Sequence, residues 1–334
     1  MAIACAKTYF NDLYSVAQIR AIEQTALENL PTGTLMHRAG KAVADAAIAL
    51  LPKDISHPRV LLAVGPGNNG GDALEASLAL VKNGAQLSIV MPIAPGDGSP
   101  EAKSALDKAR MNPISFIEIS SLSNDHSWDL VIDGLFGIGL TRPVQGEFRK
   151  LIDYLNHLSC PTLAIDVPSG LNADVGALVG PEGVAVKASA TLTFIANKPG
   201  LHTLQGRDYA GTVMVDDLNI QRSLFGEPLG QLNRPELFCS SYHPRAHASH
   251  KGSYGDLFVR LRGEIFKDGR FPASALITVS HFARPGMLIE IQGVARFLAV
   301  GCDQRRAIIA THIARLRIYY NDFAGGARRG DSRY

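Results

Sequence analysis

The sequence predicts an α/β protein, a doubly wound and mostly parallel sheet with helices on both faces. Three observations carry this expectation. Short apolar runs alternate with longer segments of helical periodicity. The junctions after several runs are rich in glycine, asparagine and aspartate. Parallel neighbours, finally, need crossover segments, which the intervening helices supply.

Two helices open the chain. Ser15 is a suitable N-cap for residues 16–30, and residues 33–51 repeat apolar side chains at helical spacing. Residues 59–64 read as a buried strand, 72–82 as a helix and 86–93 as a strand. A helix over 100–111 and a strand over 114–119 follow. A short strand at 129–133, a helix at 146–158 and a strand at 162–165 come next, and strand-like runs at 190–195 and 212–215 complete the order. In such a Rossmann-like architecture ligands sit beyond the carboxyl ends of the strands.

Bulk properties set the frame. A chain of 334 residues, 46% hydrophobic and 19% charged, is globular material for one large domain or two smaller ones. A net charge of +2 gives no global electrostatic reason to expect nucleic acid or anionic lipid as a partner. Cys5, Cys160, Cys239 and Cys302 are scattered without metal-ligand spacing, which fits free thiols in a reducing compartment. With no signal segment and no long apolar run, the expectation is a soluble, cytoplasmic protein with no membrane partner.

Three strands deliver polar sequence at the ligand edge. The first runs into Gly65-Pro66-Gly67-Asn68-Asn69-Gly70-Gly71-Asp72, where backbone N–H groups and a helix end can face a phosphate. Gly65, Gly67 and Gly70 satisfy G-x-G-x-x-G, a weak pattern by itself, and the next strand ends Val90-Met91-Pro92-Ile93 without the acidic residue of a dinucleotide dehydrogenase. A tight turn without a ligand is the plain alternative. The second and third edges carry Asp133 and Asp166. A lone aspartate there would cap a loop; two facing a glycine turn point to function. Asn69, Asp133 and Ser169 offer oxygen donors, which favours a hard cation over zinc. His37, His202 and the group His243, His247 and His250 read as surface or packing residues.

These residues resemble a known family. The segment Gly65 to Asp72, the run Val131-Ile132-Asp133-Gly134-Leu135-Phe136-Gly137-Ile138-Gly139-Leu140, the run Ala164-Ile165-Asp166-Val167-Pro168-Ser169-Gly170-Leu171 and the earlier Leu35-Met36-His37-Arg38-Ala39-Gly40 are similar to the NAD(P)H-hydrate epimerase domain, also called the YjeF N-terminal domain. The likeness spans about residues 12 to 222. It implies an isomerase of nicotinamide nucleotide repair, acting on NAD(P)H hydrate, with a homodimer left open. It also implies that Asn68, Asn69, Gly70, Gly71 and Asp72 form one nucleotide-contacting segment and Gly137, Ile138, Gly139, Leu140, Thr141, Arg142 and Pro143 a second. Potassium would be held by Asn69, Asp133 and Ser169, and Asp166 would contact substrate and catalyse. Ala73 and Gly134 depart from the pattern, standing where the family more often has glycine and alanine. The alternatives are a non-enzymatic nucleotide- or RNA-metabolite-binding scaffold and a nicotinamide-dependent dehydrogenase.

The end of the chain changes character. Before residue 260 there are 20 basic and 25 acidic residues with arginine and lysine equal, whereas residues 260–334 hold 12 arginines, one lysine and 6 acidic residues. Residues 242–259, with His250-Lys251-Gly252-Ser253-Tyr254-Gly255, resemble the opening of an ADP-dependent dehydratase domain, and the likeness then stops. The expected organisation is an epimerase domain over 1–225, a linker and dehydratase-like start over 226–259, and an irregular, derailed remnant over 260–334. A shifted reading frame would give such a remnant; a short native extension with a basic helix near 307–319 is the alternative. No dehydratase activity is expected.

Overall fold

Seven strands share one sheet, and every neighbouring pair in it is parallel. The structure is a computed structural model that describes residues 11–93, 99–123 and 127–233. They belong to the first of two compact units, Met1–Tyr242. The expectations for residues 226–334 beyond 233, and for Cys5, Cys239, Cys302, His243, His247 and His250, lie outside the described residues.

The elements follow the predicted order. After β1 (Asp12–Leu13) come α1 (Val16–Leu27) and α2 (Thr34–Leu50), then β2 (Arg59–Val64), α3 (Asn68–Lys82), β3 (Gln86–Val90), α4 (Pro100–Arg110) and β4 (Ser115–Ile117). The second half runs β5 (Leu130–Gly134), α5 (Gly146–His157), β6 (Thr162–Ile165), β7 (Ala190–Phe194), α6 (Gly206–Tyr209), β8 (Thr212–Asp216) and β9 (Gly230–Gln231). The sheet order is β4-β3-β2-β5-β6-β7-β8. Successive strands step outward from β2 in one direction and from β5 in the other, so the chain reverses between them. That reversal opens a crevice at the carboxyl ends of β2 and β5.

Strand periodicity sorts the core into two faces. Val60, Leu62 and Val64 pack with α1 to α4, whereas Leu61 and Ala63 pack with Leu151, Ile152 and Leu155 of α5. Val60 through Val64, five of the six residues of β2, are fully buried, as a strand covered on both faces must be. Among the described residues no helix is long and apolar enough to cross a membrane.

Several boundaries differ from expectation for identifiable reasons. Helix α3 starts at Asn68 rather than at 72, so the asparagines and glycines form its first turn instead of a preceding loop. Glycine's weak helix propensity is overridden by packing: a Cβ on Gly70 would lie 2.0 Å from the Gly65 carbonyl oxygen, and one on Gly65 would lie 1.7 Å from that of Leu135. Strand β3 stops at Val90, two residues before Pro92, which has no N–H for a ladder. Strand β4 keeps only three residues and is followed by a 3₁₀ turn at Ile119–Ser121. The antiparallel pair β1–β9 escaped the sequence reading because two residues carry no period. It is reinforced by Tyr14 Oη donating to the Gly226 carbonyl at 3.1 Å and Gln18 Nε2 to that of Glu227 at 2.8 Å.

Candidate active site

The site begins where β2 turns into α3. Gly67 is the helix N-cap and supplies no side-chain cap, so the first-turn N–H groups of Asn68, Asn69 and Gly70 are left for a ligand. With the helix dipole they make an anion site. Asn68, Asn69 and Asp72 line a cavity of about 790 Å³, while Gly70 and Gly71 face the protein and are absent from its wall. Of the second segment, Gly137 through Pro143 all line the cavity, and Thr141, Arg142 and Pro143 are exposed.

Asp133 is the penultimate residue of β5 and is fully buried behind that wall. Its carboxylate accepts hydrogen bonds from Ser169 Oγ at 2.6 Å, Ser169 N at 2.8 Å and Leu135 N at 3.2 Å. Burial nevertheless pushes the carboxyl up to about 6, against the opposing pull of those donors. Phe136 N donates in turn to Ser169 Oγ at 2.8 Å. Asn69 packs on the same turn: its backbone oxygen would lie 3.2 Å from a Cβ on Gly134, and its Oδ1 3.3 Å from one on Gly137. Asn69 Nδ2 is buried without a hydrogen-bond partner.

Asp166 stands just past β6 with φ of 66°, a left-handed conformation that a non-glycine residue adopts at an energetic cost. Its backbone N–H donates to the Leu192 carbonyl at 2.7 Å, which fixes the turn. Oδ1 faces Lys198 Nζ at 2.9 Å, Thr193 Oγ1 at 3.4 Å and Phe194 N at 3.5 Å. Oδ2 accepts from Ile138 N at 3.3 Å beside Gly137, on the cavity side. One oxygen is thus anchored and the other presented.

Lys198 was missed by sequence reasoning. It is fully buried and also donates to Thr193 Oγ1 at 2.6 Å and to the carbonyls of Phe194 and Ala196 at 3.0 and 3.3 Å. A signal existed, since Asn197-Lys198-Pro199-Gly200 follows the seventh strand at the same edge that marked Asp133 and Asp166. Arg20 and Glu23, from α1, also line the cavity and carry no motif. Desolvation raises the Glu23 carboxyl, Asp166 adds to the rise, and Lys198 and Arg20 oppose it. Asp72 is raised well above the ordinary carboxylate range, chiefly by desolvation and then by the charges of Asp166, Glu23 and Glu75.

The remaining candidates are structural. His37 is exposed and pairs with Glu75 at 2.9 Å, and His202 Nε2 meets Asn197 Oδ1 at 2.7 Å. Cys160 is a free, half-buried thiol. Among the described residues no group of three or more histidine, cysteine, aspartate or glutamate side chains is arranged to hold a metal ion.

Comparison with known proteins bears on the family and the fold. The family model described as YjeF-related protein N-terminus matches residues 32–200. A protein of Limosilactobacillus fermentum named NAD(P)H-hydrate epimerase is 38% identical over 205 residues, covering 61% of this chain and 95% of that protein. One of the same name from Bordetella pertussis is 38% identical, covering 66% and 93%. A bifunctional NAD(P)H-hydrate repair enzyme of Thermofilum pendens is 29% identical over 85% of this chain, which spans only 54% of it. The crystal structure of a yeast protein superposes with a TM-score of 0.56 at 21% identity, over 66% of this chain and 96% of that one, which shows a shared fold. With half of its length matched by the model and near-complete coverage of its relatives, the chain belongs to the YjeF-related protein N-terminus family.

Proposed function

We propose that this chain is an NAD(P)H-hydrate epimerase, interconverting the R and S forms of the hydrated nicotinamide nucleotide. The observation that carries the reading is Asp166, with one carboxylate oxygen on Lys198 and the other turned to a cavity beside an uncapped helix N-terminus. Relatives covered over 93–95% of their lengths bear the name of that activity. A cytoplasmic location accords with this chemistry and with the scattered thiols.

The cavity suits the substrate part by part. The pyrophosphate of a dinucleotide matches the first turn of α3, formed by Asn68, Asn69 and Gly70, and the facing turn from Gly137 to Pro143, with Arg142 at its rim. The hydrated ring carries a hydroxyl on the carbon next to the ring nitrogen. Asp166 protonates that hydroxyl, which leaves as water while the nitrogen lone pair stabilises the cation. Water then adds, and the carboxylate takes up its proton.

Potassium fits the residues present. Asp133 and Ser169 meet at 2.6 Å, and the orphaned Asn69 amide packs on the same turn; rotation of that amide would direct its oxygen where the nitrogen has no partner. A buried carboxylate raised to about 6 is a charge in want of a counterion. Asn69, Asp133 and Ser169 would hold the ion, which supplies a fixed positive charge beneath the phosphate-facing turns. The test of the catalytic assignment is Asp166→Asn, which keeps the volume and removes the proton carrier. Epimer interconversion should fall about 10² to 10⁴-fold with nucleotide binding retained; a fully active variant overturns the assignment.

A further inference from the structure

Epimerisation has two faces, and one carboxylate serves one of them. When the hydroxyl leaves from one side of the ring and water arrives on the other, each side needs its own proton carrier. We infer that Asp72 is a second catalytic acid–base, serving the ring face opposite Asp166. The inference rests on the epimerase reading.

Topology supplies the spacing. Asp72 lies in α3, directly after β2, and Asp166 directly follows β6, with β5 between the two strands. The ends of β2 and β6 stand roughly 10 Å apart, and Asp72 lies one turn into the helix that follows β2, near enough for the Asp166 charge to act on it. Enzymes that invert a carbon between an acid and a water-activating base leave room for that water between their carboxyl groups, about 6.5–9.5 Å. Both aspartates line the same cavity. Neither a hydrogen bond nor an ion pair engages the Asp72 carboxyl among the described residues, so it is available to a ligand.

The two environments divide the roles. Asp166 stands against Lys198 Nζ at 2.9 Å, whereas Asp72 has no cationic partner among the described residues, is desolvated among negative neighbours and is set to be the acid. The groups that face Asp72 are Asp166 and Glu23 across the cavity and Glu75 on its own helix, itself paired with His37 and Lys108. From the epimer whose hydroxyl lies on the Asp72 side, Asp72 donates a proton to that oxygen. The C–O bond breaks, water departs, and the nitrogen lone pair forms the C=N bond. Water on the other side forms the new C–O bond and gives a proton to Asp166, while the C=N electrons return to nitrogen. The two carboxyl groups end with exchanged protonation and re-equilibrate with solvent before the next turnover.

Oxygen-isotope exchange separates the faces. Each epimer of NADH hydrate is incubated in ¹⁸O-water with wild-type protein, Asp72→Asn and, as a control, Asp45→Asn at an exposed site on α2 outside the cavity, and both epimers are resolved chirally and weighed. Wild type should place ¹⁸O in both epimers from either start. Asp72→Asn should slow inversion about 10² to 10⁴-fold from either start. It should still exchange oxygen with retention in the epimer whose hydroxyl faces Asp166, and in that epimer alone. Asp45→Asn should keep inversion at the wild-type rate. Inversion at the wild-type rate by Asp72→Asn overturns the inference. So does loss of exchange from both epimers by an Asp72→Asn variant that remains folded and binds nucleotide. If wild-type protein inverts neither epimer faster than buffer, the epimerase reading itself fails, and the second acid falls with it.

Discussion

Ala73 and Gly134, the two positions at which the chain departs from the resemblance, lie against each other. A Cβ built on Gly134 would lie 2.7 Å from Ala73 Cβ, 3.2 Å from the Asn69 carbonyl oxygen and 3.3 Å from that of Ala63. Position 73 on α3 and position 134 on β5 therefore share room for one methyl group. Here it sits on the helix. Gly134→Ala alone pushes two carbons about 1 Å inside ordinary contact, an overpacking that typically costs 1–3 kcal/mol. Ala73→Gly alone removes a fully buried methyl, about 0.8 kcal/mol, and adds about 1 kcal/mol of helix propensity. In the double variant the strand methyl fills the vacated space, leaving about 1 kcal/mol of helix propensity. The double should thus be about 2–4 kcal/mol more stable than the sum of the singles, a coupling toward the upper end of that expected for residues in contact. Urea unfolding of the four proteins at a common m-value measures the cycle. A neutral Gly134→Ala, or a double variant no better than additive, would refute the shared-methyl reasoning.

Three further outcomes are expected. Lys198→Met leaves the 8% exposed Asp166 without its counterion and should destabilise the fold by about 3–5 kcal/mol, with most of the loss recovered in Lys198→Met/Asp166→Asn; an unchanged melting temperature contradicts this. Asp133→Ala should lower activity and erase any preference for potassium over sodium, and wild-type indifference to the monovalent cation would make the ion incidental. Asp72 binds its proton more tightly folded than unfolded, so its own contribution to stability is complete below the ordinary value of 3.8 and is lost as pH rises toward the folded-state value. Asp72→Asn should therefore melt higher than wild type at neutral pH and equal to it below 3.8, and a pH-independent difference contradicts the assignment.

What the sequence disclosed followed from local physics. The strand at Arg59–Val64 and that at Thr162–Ile165 have the expected limits because apolar β-branched runs flanked by polar turns admit little else. Asp133 and Asp166 could be placed at one edge because parallel strands all present their carboxyl ends on the same side. The start of α3 was obscured by Gly70 and Gly71, whose helical state is imposed by Gly65, Met36 and Ala102 from outside the segment. Lys198 was overlooked for a related reason. A lysine in a sequence reads as solvent-facing, and only the fold surrounds this one with a carboxylate, a hydroxyl and two carbonyls. Arg20 and Glu23 reach the cavity from a helix whose pattern marks only its core face, Ile19, Ile22 and Ala26.

The central claim is an epimerase built around Asp166, and the most direct measurement is a chiral assay of the purified chain. Each separated epimer of NADH hydrate and of NADPH hydrate is supplied alone, and appearance of the other is followed against the uncatalysed rate. The account predicts that either epimer is carried to the same equilibrium mixture, far faster than in buffer and far faster than with Asp166→Asn. Conversion no faster than in buffer, in the presence of potassium and with the protein folded, would contradict it.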